Sequence, residues 1–494
     1  MSIAPRTIPA APSASGDGTR IFLTALLVYA AFVNPAVQNS MTWNYLDAAV
    51  SLVDTARWQV THAPFYAAQD TATVGGRLVS GFPPGMSLLI APLYAVWRAF
   101  AGPVDTAAAF QGLNVLVVLL IAAPASALAA VQVAWLAGWL GASRRGRLGA
   151  ALLFAFGTQA FAFATMVFKE NVAALAVVTA MRLALEPGGA GRRAAAGAVA
   201  AAGAVLLHPI AIVAPLLLLL VGCREGTRRT LAFAAGAAPP ALALAAFNTW
   251  MFGRPWRASY FFLTGIDDPR FAWPRLDVLG GLVLGPSSGL LLYAPFLLLG
   301  LAGMAWAWRA HRGETLVTLA AGGALLFAAT AWISQAPGSS SYATGLGTRY
   351  VFPAVPLLAA FAGVPLERAS RRLVAPLVAI SLFCAYLSAQ AGFIPGGDVL
   401  PYALKTWISG TGMGPLFKEG LPAWLGIDTL HTLVSRPDVS ARDVLRMLPS
   451  AEGLRLARNQ AALLAVNLAV AAGVALVVRR MWRAPALVEP VCVS

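Results

Sequence analysis

Apolar runs of roughly twenty residues, separated by short polar turns, recur along almost the whole chain. A helix needs about 20 mostly apolar residues to cross a bilayer, and the pattern predicts about twelve such spans. They fall at 21–38, within 106–140, at 148–167 and 171–187, as a tight pair within 194–222, and at 230–251. The series continues at 286–308, 315–334, 350–366, 373–393 and 459–478. Pro124 marks a kink in the second span, and Pro239-Pro240 interrupts the seventh. The tight pair turns near His208-Pro209. The predicted fold class is an all-α polytopic membrane protein. Three longer polar stretches, 39–105, 252–285 and 394–457, interrupt the series.

The stretch 39–85 carries three carboxylates (Asp47, Asp54, Asp70) together with His62, Arg57 and Arg77. Leu46, Ala49, Val50 and Val53 recur at helical spacing, with Asp47, Ser51 and Asp54 on the opposite face. Such a helix beside a membrane segment is expected to lie in the interface, holding its carboxylates toward water. Ser80-Gly81-Phe82-Pro83-Pro84-Gly85 then breaks the chain, and an amphipathic or re-entrant helix is expected over Met86 to Phe100.

Composition agrees with the pattern. Of 494 residues, 59% are hydrophobic and 11% charged, against roughly 25% charged in soluble domains. The mean hydropathy is +0.72. A net charge of +15 would suggest nucleic acid in a soluble chain. Here arginines flanking membrane spans account for it, and no nucleic-acid partner is expected. The clusters Arg144/Arg145/Arg147, Arg192/Arg193, Arg224/Arg228/Arg229, Arg309/Arg312, Arg368/Arg371/Arg372 and Arg479/Arg480/Arg483 all fall on one side of a twelve-span chain. By the positive-inside rule that side is cytoplasmic. Both termini are then cytoplasmic, and the three long stretches face outside. Residues 1–20 read as a disordered tail, 21–393 as the core, 394–457 as a small external segment, and 458–494 as the last span with its tail. Three cysteines offer no disulfide framework.

Ionisable residues at the outer ends of spans are the candidates for chemistry. Arg349 opens a span after Gly345-Leu346-Gly347-Thr348, where a guanidinium at a helix start suits a phosphate; a snorkelling membrane anchor is the other reading. Lys169-Glu170 sits in the turn before the fourth span and reads as a salt-bridged turn or part of a site. A lone His208 before a proline reads as structural. Asp267-Asp268 is a weak metal motif. No phosphate-loop or dinucleotide-binding glycine pattern is present.

Several motifs recur together in order. Gly76-Arg77-Leu78-Val79-Ser80-Gly81-Phe82-Pro83-Pro84-Gly85 follows the first span; Phe252-Gly253-Arg254-Pro255 ends another. The run from Gly285 to Pro295, containing Tyr293, opens a span, and Gly347-Thr348-Arg349-Tyr350 precedes Pro353 and Pro356. Over residues 21–390 the series resembles the C-type integral membrane glycosyltransferases, in particular the bacterial branch related to protein O-mannosyltransferases and lipid A aminoarabinose transferases. The resemblance implies a polyprenyl-phosphate-linked sugar donor. It also implies a catalytic carboxylate early in the first external loop and basic residues on the donor phosphate. By position it puts Asp47 as the catalytic acid, and Arg349 and Arg77 on the phosphate; Asp54 in support and Lys169 as a further phosphate contact complete the expected site. Asp70, Tyr45, Glu170 and Tyr293 are left as substrate-binding positions, with Asp54 and Asp70 still in contention for the base. Many relatives carry the acid nearer the end of the first span, where this chain has Asn39, Ser40 and Met41.

The expected reaction is therefore an inverting transfer to a glycan, lipid or protein acceptor of the cell envelope, at the outer face of the cytoplasmic membrane. One carboxylate as base suffices, because a lipid phosphate leaves with little protonation. No cofactor is expected, and a metal-assisted variant is possible without being predicted. A transporter or flippase, or a polymerase or ligase of lipid-linked glycans, are the competing readings; a transporter would want ionisable residues in mid-span.

Overall fold

The computed structural model describes residues 15–37, 39–62, 70–262, 272–286, 289–334, 349–392, 414–430 and 441–483, with isolated positions 400, 403, 404, 407 and 433. Gly345–Thr348, Asp267-Asp268, Ser287-Ser288 and Cys492 lie outside the described residues.

The chain is helical nearly throughout. Helix α1 is Ser15–Ala31, α2 Ser40–Thr55 and α3 Gly85–Ala101, with strands β1 (Thr71–Val74) and β2 (Arg77–Ser80) between α2 and α3. Then follow α4 (Ala107–Val117), α5 (Ala123–Trp139), α6 (Arg144–Phe156), α7 (Ala160–Ala164), α8 (Lys169–Leu185), α9 (Ala190–Leu206), α10 (Val213–Glu225) and α11 (Thr227–Phe252). After these come α12 (Leu276–Leu284), α13 (Leu290–Tyr293), α14 (Leu297–Ala307), α15 (Arg312–Ile333), α16 (Val355–Phe361), α17 (Gly363–Arg368) and α18 (Arg371–Ala391). A helix over Ala451–Arg483 ends the series.

Each expected span lies on a helix or a pair of helices. Six of the described helical stretches are long and apolar enough to cross a membrane: Ala107–Trp139, His208–Glu225, Thr227–Phe252, Arg312–Ile333, Arg371–Ala391 and Ala451–Arg483. Gly85–Ala101, Leu297–Ala307 and Arg349–Phe361 are shorter apolar helices. The irregularity before Pro124 is a wide π-helical turn over Val118–Ala122, which absorbs the hydrogen bond the proline cannot make. Helix α11, in contrast, runs unbroken through Pro239 and Pro240.

Three expectations change. The first helix begins at Ser15, so residues 15–20 are ordered rather than part of a disordered tail. There Asp17 accepts two hydrogen bonds of 2.7 Å from Arg144, tying the start of α1 to that of α6. The third expected span is broken into α6 and α7. The loop 39–105 also holds a β-hairpin, with Thr71 opposite Ser80 and Val74 opposite Arg77, turned by Gly75 and Gly76 at positive φ.

Small residues bring the helices close. A Cβ on Gly197 would stand 2.0 Å from the Phe233 carbonyl oxygen, and one on Gly236 would stand 1.9 Å from that of Ala194. Helices α9 and α11 therefore touch backbone to backbone, as packing in lipid favours. At the arginine-rich end, Glu314 is buried and accepts from Trp139 (2.9 Å) and Arg224 (2.8 Å), while Arg193 pairs with Glu225. Burying these charges as hydrogen-bonded pairs keeps them from standing unmatched in an apolar interior.

Candidate functional site

At the opposite end from these pairs the first loop, the turn before α8 and the start of the helix at Arg349 meet. Asn39 caps α2, its side chain accepting from the Thr42 N–H at 2.7 Å. Thr42 donates from Oγ1 to the Val167 carbonyl at 3.1 Å, fixing α2 beside the turn that carries Lys169. The Ser259 hydroxyl donates to the Gly81 carbonyl at 2.9 Å, so the second polar stretch docks on the Ser80–Gly85 motif. Gly85 is required there: a Cβ would lie 2.7 Å from the Val205 carbonyl oxygen at the end of α9.

These joins enclose a cavity. Its polar wall is Lys169, Tyr260, Arg349 and Tyr350; its apolar wall includes Phe82, Leu207, Pro209, Leu325 and Trp332. Lys169 is 2% exposed. Its ammonium stands 4.7 Å from the Phe82 ring centroid and 5.9 Å from that of Tyr45, with Tyr260 Oη at 3.5 Å. Arg349 donates from Nη2 to Tyr350 Oη at 2.8 Å and lies over the same ring, 4.7 Å from its centroid. Its Nε is buried with no hydrogen-bond partner. Neither cation has a carboxylate within ion-pair distance among the described residues. A buried cation with no carboxylate in ion-pair contact is costly, and the cavity suits an anion with an apolar body.

Two carboxylates stand close by. Asp70 and Glu170 both act electrostatically on Lys169 and Arg349. Glu170 is fully buried, and both carboxylate oxygens are without a hydrogen-bond partner. Asp70 is exposed, with φ of +58°, a strained conformation for a non-glycine residue. It accepts a hydrogen bond from the Ser40 hydroxyl at the first turn of α2. Tyr45 is fully buried with an unpartnered hydroxyl, and its ring is 5.3 Å from that of Phe82.

Other expected site residues sit elsewhere. Asp47 does not face water: it is 0% exposed, because the chain after α2 folds back over it. Its carboxylate accepts from the Thr61 N–H (3.1 Å) and hydroxyl (3.2 Å), the His62 N–H (2.7 Å) and His62 Nδ1 (2.9 Å). That bond raises the His62 pKa above the ordinary histidine value. Asp54 is taken by Tyr94 Oη and Arg98 Nη1 of α3, each at 2.9 Å. Arg77 is exposed beside the hairpin turn and does not line the cavity. Strand geometry carries it about 10 Å from Ser80, the end of the strand near Asp70. Tyr293 packs with Cys384 and Leu387, and its hydroxyl is spent on the Pro286 carbonyl. Sequence reasoning had not singled out Phe82, Tyr260, Trp332 or Tyr350 as walls. The motif around Phe82 was the available signal; no local pattern marked Tyr260. His208 lies beside Tyr260, ring centroids 5.8 Å apart, with both nitrogens unpartnered. Among the described residues no group of three or more His, Cys, Asp or Glu could hold a metal ion.

No family model matches the chain, and no curated protein matches it. Among solved structures it is similar to ArnT from Cupriavidus metallidurans bound to undecaprenyl phosphate. The TM-score is 0.50 at 15% identity, over 94% of this chain and 77% of that one. The apo state of the same protein gives 0.48 at 14% identity, over 94% and 76%. An oligosaccharyltransferase from Archaeoglobus fulgidus in the apo form gives 0.44 at 13%, over 79% and 58%. At the level of the fold, the chain has the polytopic helical architecture of ArnT.

Proposed function

We propose that this protein is a glycosyltransferase that takes a sugar from a polyprenyl-phosphate donor and passes it to a cell-envelope acceptor. The acceptor is a glycan, lipid or protein, and transfer occurs at the outer face of the cytoplasmic membrane. One observation carries the reading. Lys169 and Arg349, two cations with no carboxylate in ion-pair contact among the described residues, face one apolar-walled cavity. A polyprenyl phosphate is an anion on an apolar body. The structure of ArnT with undecaprenyl phosphate bound, similar in fold, adds weight.

The chemistry follows from the residues. Arg349 offers a planar fork and Lys169 a point charge. Both stabilise the negative charge that grows on the phosphate oxygen as its bond to the anomeric carbon breaks. The acceptor hydroxyl attacks that carbon from the opposite face, inverting it, and its proton passes to a carboxylate. Asp70 suits this base better than Asp47, whose oxygens are already occupied by donors from Thr61 and His62. Ser40 also brings the Asp70 carboxylate to the end of the first span, where C-type relatives carry their acid and this chain does not. Glu170 and the Tyr45 hydroxyl, both unpartnered, are placed to bind sugar hydroxyls. The arginine clusters orient both termini to the cytoplasm.

The test is to incubate the purified protein with a panel of polyprenyl-phosphate sugars and assay release of polyprenyl phosphate. Release of polyprenyl phosphate from at least one of these donors is expected; no release from any of them, or failure of polyprenyl phosphate to bind, would remove the reading.

A further inference from the structure

A second recess lies at the arginine-rich end, away from the cavity of Lys169 and Arg349. It is a groove of about 680 Å³ between α6, α17 and the start of α18. The two helices that form its floor meet closely, since a Cβ on Gly146 would fall 2.4 Å from the Gly363 carbonyl oxygen. Leu366, Val374 and Val378 give it an apolar wall, and Arg145 and Arg371 stand in its lining. Both arginines are exposed, and neither has an ion-pair partner among the described residues. Their neighbours are differently engaged: Arg144 pairs with Asp17, and Arg368 lies 4.5 Å from the Trp306 ring centroid. Glu367 is the acidic side chain of the lining. Its Oε1 accepts from the Ser143 N–H at 2.8 Å, at the start of α6.

We propose that this groove binds an anionic phospholipid, its phosphate between Arg145 and Arg371 and an acyl chain along Leu366, Val374 and Val378. Charge complementarity selects the occupant. Two unpaired guanidinium forks match a phosphate, and an apolar wall continuing from them along membrane helices suits a chain rather than water. Basic pockets between membrane helices on the cytoplasmic side bind acidic headgroups in this manner. A soluble anion would leave the apolar wall uncovered.

The test uses the full-length protein in nanodiscs of phosphatidylcholine containing phosphatidylglycerol. Lipid retained on release is counted by native mass spectrometry. The wild type is expected to retain phosphatidylglycerol in preference to phosphatidylcholine. The double variant Arg145→Gln/Arg371→Gln should lower that preference on the order of tenfold, as two arginine–headgroup attractions are lost. Gly149→Leu keeps every charge but grows a side chain toward Leu366, whose Cδ1 is already 3.4 Å from a Cβ there; it should displace the lipid as well. The control Arg479→Gln/Arg480→Gln removes the same charge from the last helix and should change nothing. Equal loss in the control would mean diffuse surface attraction and overturn the site. Retention unchanged in the double variant, or in Gly149→Leu with a native melting temperature, would overturn it too.

Discussion

The hydroxyl of Ser40 donates a hydrogen bond to the carboxylate of Asp70, 30 residues further along the chain. The bond closes the first long loop on itself and holds an acid near the two cations of the cavity. Asp47, by contrast, is buried under the Thr61-His62 backbone. The two acids therefore have separable expected phenotypes. Asp70→Asn should lower transfer by about 10²–10⁴-fold, the usual loss for a general base, while polyprenyl phosphate still binds and the melting temperature holds. A transfer assay beside a binding assay checks this; an active Asp70→Asn enzyme would remove the assignment.

Asp47→Asn should act on stability. An amide keeps one acceptor oxygen and turns an NH2 group toward donors. Leaving buried donors unmatched costs about 1–3 kcal/mol. A lowered melting temperature is expected, with protease sensitivity appearing around residues 57–62 before the rest of the chain. Asp54→Asn should weaken the α2–α3 joint through Arg98 and Tyr94 without touching the cavity.

Lys169 offers a sharper contrast. Its ammonium is buried among the Phe82 and Tyr45 rings, with no carboxylate in ion-pair contact among the described residues. Lys169→Met should raise the melting temperature of the donor-free protein, because an apolar chain of similar length replaces an unpaired charge. The same change should weaken polyprenyl-phosphate binding by roughly 10–100-fold, the range for a charge-assisted contact. Arg349→Lys keeps the charge and loses the fork, so binding should fall there as well. A Lys169→Met protein that is less stable and binds normally would mark the lysine as structural.

His62 supplies a pH dependence. Its hydrogen bond to Asp47 raises the imidazole pKa in the folded chain. A group with a raised folded pKa stabilises fully below its unfolded pKa, about 6.5, and that contribution is lost as pH rises through the folded value. Hydrogen exchange at residues 57–62 should therefore quicken, beyond its intrinsic base catalysis, as pH climbs above that range. In His62→Asn the excess should vanish. Exchange that follows only the intrinsic rate in both proteins would refute the coupling.

The α9–α11 contact makes a prediction about the scaffold. Gly236→Val places a branched side chain where even a Cβ falls 1.9 Å from the Ala194 carbonyl oxygen. Overpacking of this kind costs typically 1–3 kcal/mol, so the melting temperature should drop. Gly473→Val, on the last helix with nothing within 4 Å of its Cβ, should melt like the wild type.

The helices were legible because their cause is local. A run of apolar residues long enough to bury itself in lipid must satisfy its own backbone, and only a helix does so. Arg349 and the Phe82–Gly85 motif could be marked in advance because a charge at a span's end, or a break made of proline and glycine, is visible without any partner. The choice among Asp47, Asp54 and Asp70 was not. All three lie in one loop, and periodicity put Asp47 and Asp54 together on a face assumed to be wet. The chain returning over α2 turned that face inward, and Thr61, His62, Tyr94 and Arg98 supplied the donors that made burial tolerable. Tyr260 and Trp332 reached the cavity from segments far from Lys169 in sequence, through contacts no local pattern encodes. Sequence alone determined where the apolar spans are helical and which end of the bundle carries its arginines. Which charges stand together without partners was decided by tertiary structure, since a counter-ion is a neighbour in space and not in the chain.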